Sequence, residues 1–359
     1  MKKLFFSLFL IPILYFLFSS PTFAQTPPIQ KTLEGKVVSV QKEDESVQRI
    51  EVIITKGEIK GKTIKIDSQI LEQSKKESYK AGDELLIIST KDALGKEFYY
   101  IADKIRRPSL YILFGIFILL ALVMGRKQGA LSLLAMAASF LVIFTYILPQ
   151  IIMGQNPVLT AIIGATIIIP ITFILSHGLN AKTVISIIST ITALVVTGVL
   201  SYVFVHFSSL SGTASEESTF LVAEIGKNIN LQGILLAGII IASLGVLDDV
   251  TIAQASLVQE LKRANEKLMF KDLFKRGMNV GRDHIASVIN TLVLVYTGAS
   301  LPLLLLFTYS NKSFSEVINY EIIASEIVKM LVGSIGLILA VPITTIIAAY
   351  FFQEVKKEK

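Results

Sequence analysis

Two adjacent carboxylates end a long uncharged run. Leu231 to Leu247 carries no charged residue, and Asp248 and Asp249 follow it. At 1.5 Å per residue that run makes about 25 Å of helix, so the acids fall near the edge of a hydrocarbon layer and not at its centre. If the helix continues, Asp248 shares a face with Thr251, Ala255 and Gln259. Asp249 shares the neighbouring face with Ala253, Ser256 and Glu260. Small and hydroxyl residues beside acids suit close helix packing or a wet crevice. A second set begins at Gly281-Arg282-Asp283-His284. Asp283, Ser287, Asn290 and Thr291 follow at i, i+4, i+7 and i+8, which is one stripe of a helix. Asn290 would lie about 10 Å deeper than Asp283. If the two helices are neighbours, Asp248, Asp249, Thr251, Ser256, Asp283, Ser287, Asn290 and Thr291 line one pocket open to the cytoplasm. Arg282 and His284 are its candidate charge partners. Such a cluster binds a cation or carries a proton, because acids in lipid must be paired, protonated or hydrated. The plainer alternative is a pair of solvated helix ends, with Asp283 offsetting the dipole in a first helical turn.

The elements that must position these residues are membrane helices. Hydrophobic residues make up 52% of the chain and charged ones 17%, which is the balance of a polytopic membrane protein. Seven apolar segments, each near the ~20 residues needed to cross hydrocarbon, run over about 108–125, 129–152, 156–177, 183–207, 231–253, 284–308 and 325–352. Pro170 and Pro342 fall inside the third and seventh, where a proline frees a carbonyl and kinks the helix. Gly164 to Thr172 echoes Gly336 to Thr344 around these prolines, the mark of a parallel internal repeat or of low-complexity sequence. Arg126 and Lys127, Lys182, the cluster from Lys262 to Arg282, and Lys356, Lys357 and Lys359 fall on alternate loops. Those loops are therefore expected to be cytoplasmic, with the C-terminus inside. The basic linker from Lys262 to Arg282, with Phe270 and Phe274 interleaved, reads either as topology or as a lipid-lying amphipathic segment.

Upstream, residues 1–24 read as a signal peptide, with Lys2 and Lys3 before an apolar core and Thr22-Phe-Ala24 as a cleavage site; an uncleaved signal anchor is the other reading. Residues 25–107 are charge-rich, with five short β-branched runs at 35–40, 49–54, 62–66, 84–88 and 97–101 and room for a short helix over 68–81. This pattern predicts an extracytoplasmic small β-barrel of OB-like type. The expected architecture is thus an α-helical polytopic membrane domain over 108–355 behind an N-terminal β-domain.

The absence of Cys and the three scattered His residues exclude disulfides and thiolate metal sites and give no zinc spacing. No cofactor is implied. The net charge of +6 sits where topology would put it, so nucleic acid is not an expected partner. No phosphate loop or Ser–His pair is present, and the Asp248–Asp249 pair lacks the glycine spacing of an intramembrane aspartyl protease, so an enzyme is not the expected class.

GVLDDVTIAQASLVQEL followed by GRDHIASVINTLVLVYTGASLPLLLLF resembles the signature region of the YibE/F-like bacterial membrane proteins. The resemblance runs over about 108–355. It implies a multi-span protein of the plasma or inner membrane and no activity, substrate or cofactor. It marks Asp248 or Asp249, Gly281, Arg282, Asp283, Asn290 and Thr291 as signature positions. The leading expectation is a permease or exporter of a small solute or ion. The alternative is a scaffold or sensor whose β-domain binds an envelope partner. Besides lipid, a homo-oligomer is a possible assembly.

Overall fold

The computed structural model describes residues 31–44, 47–69, 79–91, 97–225, 229–310 and 312–354. The expected leader over 1–24, most of the helix expected over 68–81, Lys227 and the lysines after residue 354 lie outside the described residues. The chain divides into two compact units, with the border at Leu120/Ala121.

All five expected strands form: β1 (Lys31–Asp44), β2 (Val47–Lys56), β3 (Thr63–Gln69), β4 (Glu84–Lys91) and β5 (Glu97–Lys104). They make one antiparallel sheet in the order β3-β2-β1-β4-β5. β1 is the hinge of this sheet. It pairs with β2 along its length and with β4 through Lys31–Lys36, and its register shifts between Glu34 and Gly35 and between Val37 and Ser39. Bulges add twist and bend a strand, so the sheet curls into a half-barrel. Leu33, Val37, Ile50, Val52, Ile54, Ile66, Leu85 and Ile87 fill its concave side. The rim is ionic. Arg107 and Lys56 both reach Glu34, and Lys104 Nζ lies 2.8 Å from Asp83 Oδ2.

The rest is helical. α1 (Arg107–Val142) passes through a π-helical stretch (Ile143–Ile147) into α2 (Leu148–Ile152). There follow α3 (Pro157–His177), α4 (Ala181–Phe207), α5 (Glu216–Ile225), α6 (Leu231–Ala264), α7 (Phe270–Ala299), α8 (Leu301–Tyr309), α9 (Phe314–Val317) and α10 (Glu321–Gln353). Asparagines start three of the long ones: Asn156, Asn180 and Asn230 accept hydrogen bonds from the first free amides of α3, α4 and α6, as N-caps do.

Among the described residues, five helical stretches are long and apolar enough to cross a membrane, or six when α7 and α8, bent by 66°, count together. The seven spans expected require, in addition, that residues 107–152 be divided at Arg126. Residues 107–152 count there as one 46-residue stretch, yet the chain folds back sharply inside it: a methyl group on Gly129 would fall 1.9 Å from Ala121 O, and an unbroken helix would hold those two residues about 12 Å apart. The expected loop at Arg126-Lys127 shrinks to a single non-helical residue, Arg126, with φ 50° and ψ −129°. One further boundary moves. α6 runs past the apolar span at 253, as its helical pattern through Gln259 and Glu260 leads one to expect, and ends at Ala264, whereas α7 starts at Phe270 rather than 284. The basic linker is therefore the tip of a helical hairpin. Its turn is closed by Lys262 Nζ, which donates to Glu266 O at 2.8 Å and Leu268 O at 2.9 Å. Ala255, Val258, Leu268 and Leu273 bury it against Ile185, Ala348, Ala349 and Phe352. Apolar burial beyond the expected membrane edge, and not charge, sets these helix ends.

α4, α6 and α10 pack against one another; α3 leans on α6, and α7 on α10 and α6. The contacts are close because small residues line them. A methyl group placed on Gly336 of α10 would fall 2.1 Å from Thr197 Oγ1 of α4. On α7, Gly277 and Gly281 sit four residues apart, against Thr345 and Val341 of α10 respectively.

Candidate functional site

The inward face of α6 delivers its polar side chains one after another to the helices around it. Asp248 turns toward α3. Its Oδ2 accepts a hydrogen bond from Thr172 Oγ1 at 3.3 Å, two residues beyond Pro170. Its Oδ1 is buried with no hydrogen-bond partner among the described residues. Thr251 is fully buried and meets Thr190 of α4, with the two hydroxyls 2.7 Å apart. Ser186 Oγ adds a long bond of 3.4 Å to the Thr251 carbonyl. Gln254 is 3% exposed and joins the two remaining neighbours. Its Nε2 donates to Gly277 O of α7 at 3.0 Å and to Thr345 Oγ1 of α10 at 2.7 Å. Sequence reasoning passed over Gln254 because it carries no charge. The available signal was an amide on an otherwise apolar face, which in hydrocarbon must find partners on other helices.

Asp249, one residue from Asp248, is exposed. A step of about 100° around the helix separates the two fates. His177, at the end of α3, is within electrostatic reach of Asp249. Ser256 is half-buried.

The second expected set is placed differently. Arg282, Asp283, Ser287, Asn290 and Thr291 are all exposed on α7. The residues α7 buries are Leu273, Gly277, Gly281 and Leu292, so the glycine stripe faces α6 and α10 and the polar stripe faces away. The structure therefore does not gather the carboxylates of the two helices into one recess. Nor does Asp283 cap a first turn, since α7 begins thirteen residues earlier. Arg282 forms no ion pair with either acid among the described residues. His284 is half-buried, and its Nε2 is enclosed without a hydrogen-bond partner. Pro170 and Pro342 both lie inside helices that run on past them.

Two cavities lie elsewhere. One of about 360 Å³ sits among α5, α6 and α10, where the Lys329–Glu326 pair (2.6 Å), Glu217, Ser215 and Ser218 face Leu221, Ile234 and Leu235. The loop over it is held by Glu321, whose Oε1 accepts from the amides of Ser211 at 2.6 Å and Gly212 at 2.8 Å. The other, about 260 Å³, lies between the α2–α3 turn and Asn230.

No curated protein and no solved structure matches the chain. The family described as YibE/F-like protein matches residues 113–354, a stretch that takes in every candidate residue above and nearly all of the apolar helices. With that match over most of its length, the chain belongs to the YibE/F-like family, and its apolar helices make it a membrane protein.

Proposed function

We propose that the protein is a permease for a small solute or ion, in which Asp248 binds the coupling proton or cation. The observation that carries this reading is the Asp248 carboxyl, wedged between α3 and α6 with one oxygen enclosed and unpartnered and the other on a single threonine. An ionised carboxylate in apolar surroundings is unstable unless something positive joins it. A proton or a cation supplies that charge, and its departure leaves a different balance of forces between α3 and α6. The cavity by Lys329 and Glu326 flanks the same helix near its other end and gives a solute a place to enter.

In this reading the break at Arg126 divides two spans, and the bent α7–α8 pair completes a set of seven in a bacterial plasma or inner membrane. The positive-inside pattern puts Lys182 and the 262–282 hairpin in the cytoplasm and the β-domain outside. The strand order, with β3 approaching β5, supports an OB-like barrel for that domain.

The test is proton flux in proteoliposomes under an imposed pH gradient. Asp248→Asn abolishes flux, Thr172→Val reduces it, and Asp249→Asn leaves it near the wild-type rate. Equal flux in wild type and Asp248→Asn overturns the assignment. A scaffold or sensor is the second reading. It is favoured by exposed Val38 and Tyr100 on the β-domain, and it predicts an envelope protein cross-linked to residues 25–107 and no Asp248-dependent flux.

A further inference from the structure

The polar stripe of α7 is on the wrong side for a membrane helix. Gly277, Gly281 and Leu292 are buried against the bundle. At about 100° per residue, Asp283 and Asn290 lie about 180–200° around the helix from Gly281. Ala286, Ser287, Asn290, Thr291 and Leu294 continue that exposed face. A carboxamide turned toward lipid at Asn290, about 10 Å deeper than a carboxylate at the inner edge, is costly, because hydrocarbon offers neither a hydrogen bond nor a counter-charge. A face of this kind is normally covered.

We propose that it is covered by the same face of a second copy of this chain. Membrane insertion gives both copies one orientation, so the twofold axis stands along the membrane normal and residues of equal depth meet. The α7 face is self-complementary under that operation. Arg282 and Asp283 differ in depth by about 1.5 Å, so the guanidinium of one copy meets the carboxylate of the other, twice. Neither side chain has an ion-pair partner within its own chain among the described residues. One turn and more deeper, Asn290 meets Asn290 of the second copy, and a carboxamide is both donor and acceptor, so each satisfies the other. Ala286 and Ser287 between them are small enough to let the backbones approach. The chemistry recognised is therefore a parallel copy of the same helix.

The inference uses only the bilayer part of the reading above. Loss of the dimer with Asp248-dependent flux intact would sink it alone. The chain contains no cysteine, so single cysteines can be placed from residue 283 to 298 in the full-length protein and cross-linked in native membranes. Dimer bands are expected at Ser287→Cys, Asn290→Cys and Leu294→Cys. None is expected at Val288→Cys or Leu292→Cys, which face the bundle. In liposomes, counting subunits by single-molecule photobleaching gives the association constant. Asn290→Leu lowers it about tenfold and Asn290→Gln restores it, while Leu119→Ala on α1 leaves it unchanged. Cross-links that ignore the α7 period, cross-links to a different protein, or an Asn290→Leu variant that associates like wild type each overturn the proposal.

Discussion

Gly281→Ala tests the packing on which the whole placement of α7 rests. In an ordinary helix this change is favourable by about 1 kcal/mol, because alanine restricts the unfolded backbone more than glycine does. Here the new methyl would lie 2.5 Å from Val341 Cγ1, with Gln254 Nε2 and Oε1 at 3.2 and 3.3 Å. Carbon atoms rest at about 3.5–4.0 Å, so one contact is about 1.0–1.5 Å too short. The valine cannot swing away. Val341 is fully buried, and a β-branched side chain in a helix has essentially one rotamer. Overpacking of this kind costs about 1–3 kcal/mol, which leaves a net loss of up to about 2 kcal/mol after the propensity gain. Gly245→Ala on α6 is the matched control, since nothing lies within 4 Å of its added methyl. It is expected to be neutral or to stabilise by up to about 1 kcal/mol. Reversible unfolding in bicelles should therefore separate the two variants by about 1–3 kcal/mol. Equal shifts, or a Gly281→Ala protein more stable than wild type, would mean that α7 does not approach α10 through its glycines.

Three further outcomes follow from particular contacts. Gln254→Met keeps the volume but removes the bonds to Gly277 and Thr345, and the same unfolding assay should show a loss of about 1–2 kcal/mol. Arg126→Gly relieves a backbone conformation that suits glycine and should stabilise the α1 break by about 1 kcal/mol, read as a higher midpoint in detergent. In the β-domain, Arg107 and then Lys56 hold the Glu34 carboxyl below its ordinary value of 4.5, and Lys104 does the same to Asp83 below 3.8. A depressed pKa contributes stability that is present above the ordinary value and lost as pH falls through the folded one. The protection factors of β4 and β5 amides, corrected for the intrinsic slowing of exchange in acid, should therefore fall below about pH 4, and Lys104→Met should flatten that dependence.

The β-domain was legible because its strands alternate strictly and its turns carry glycine. Val37, Ile50, Val52, Ile54, Leu85 and Ile87 all point where a period of two puts them. The apolar helices were equally plain, but their ends were not. The pattern carries α6 on past its acids to Glu260, but it starts α7 only at the last charges before the apolar run, whereas that helix begins earlier because Leu273 is buried. The same error hid the facing of α7. With its start placed at residue 284, Asp283 looked like a first-turn acid. The helix actually begins at Phe270, and the glycines at 277 and 281 decide which side turns inward. A polar stripe can be read from spacing alone, but whether it faces the bundle cannot. That depends on which neighbour a glycine admits, a pairwise property of two distant segments.

These contacts also rank the interfaces of α6 by how readily they part. Toward α4, buried Thr251 meets buried Thr190 at 2.7 Å. Toward α10, Gln254 reaches Thr345 at 2.7 Å, and Gly336 locks α10 onto Thr197 of α4. Toward α3, the polar contact is one long bond of 3.3 Å from a threonine that also donates to its own helix at Ile169 O, 3.0 Å away. A shared donor at that length is weak. The α4–α6–α10 set is therefore the fixed body, and α3, bearing Pro170, is the element that a change of charge on Asp248 can release. If that ranking is right, a disulfide tether between α3 and α6, at positions flanking but not replacing Thr172 and Asp248, blocks flux until it is reduced, while a tether between α4 and α10 that spares Thr197 and Gly336 leaves it running. Block by the second tether and not the first would place the moving joint elsewhere in the bundle.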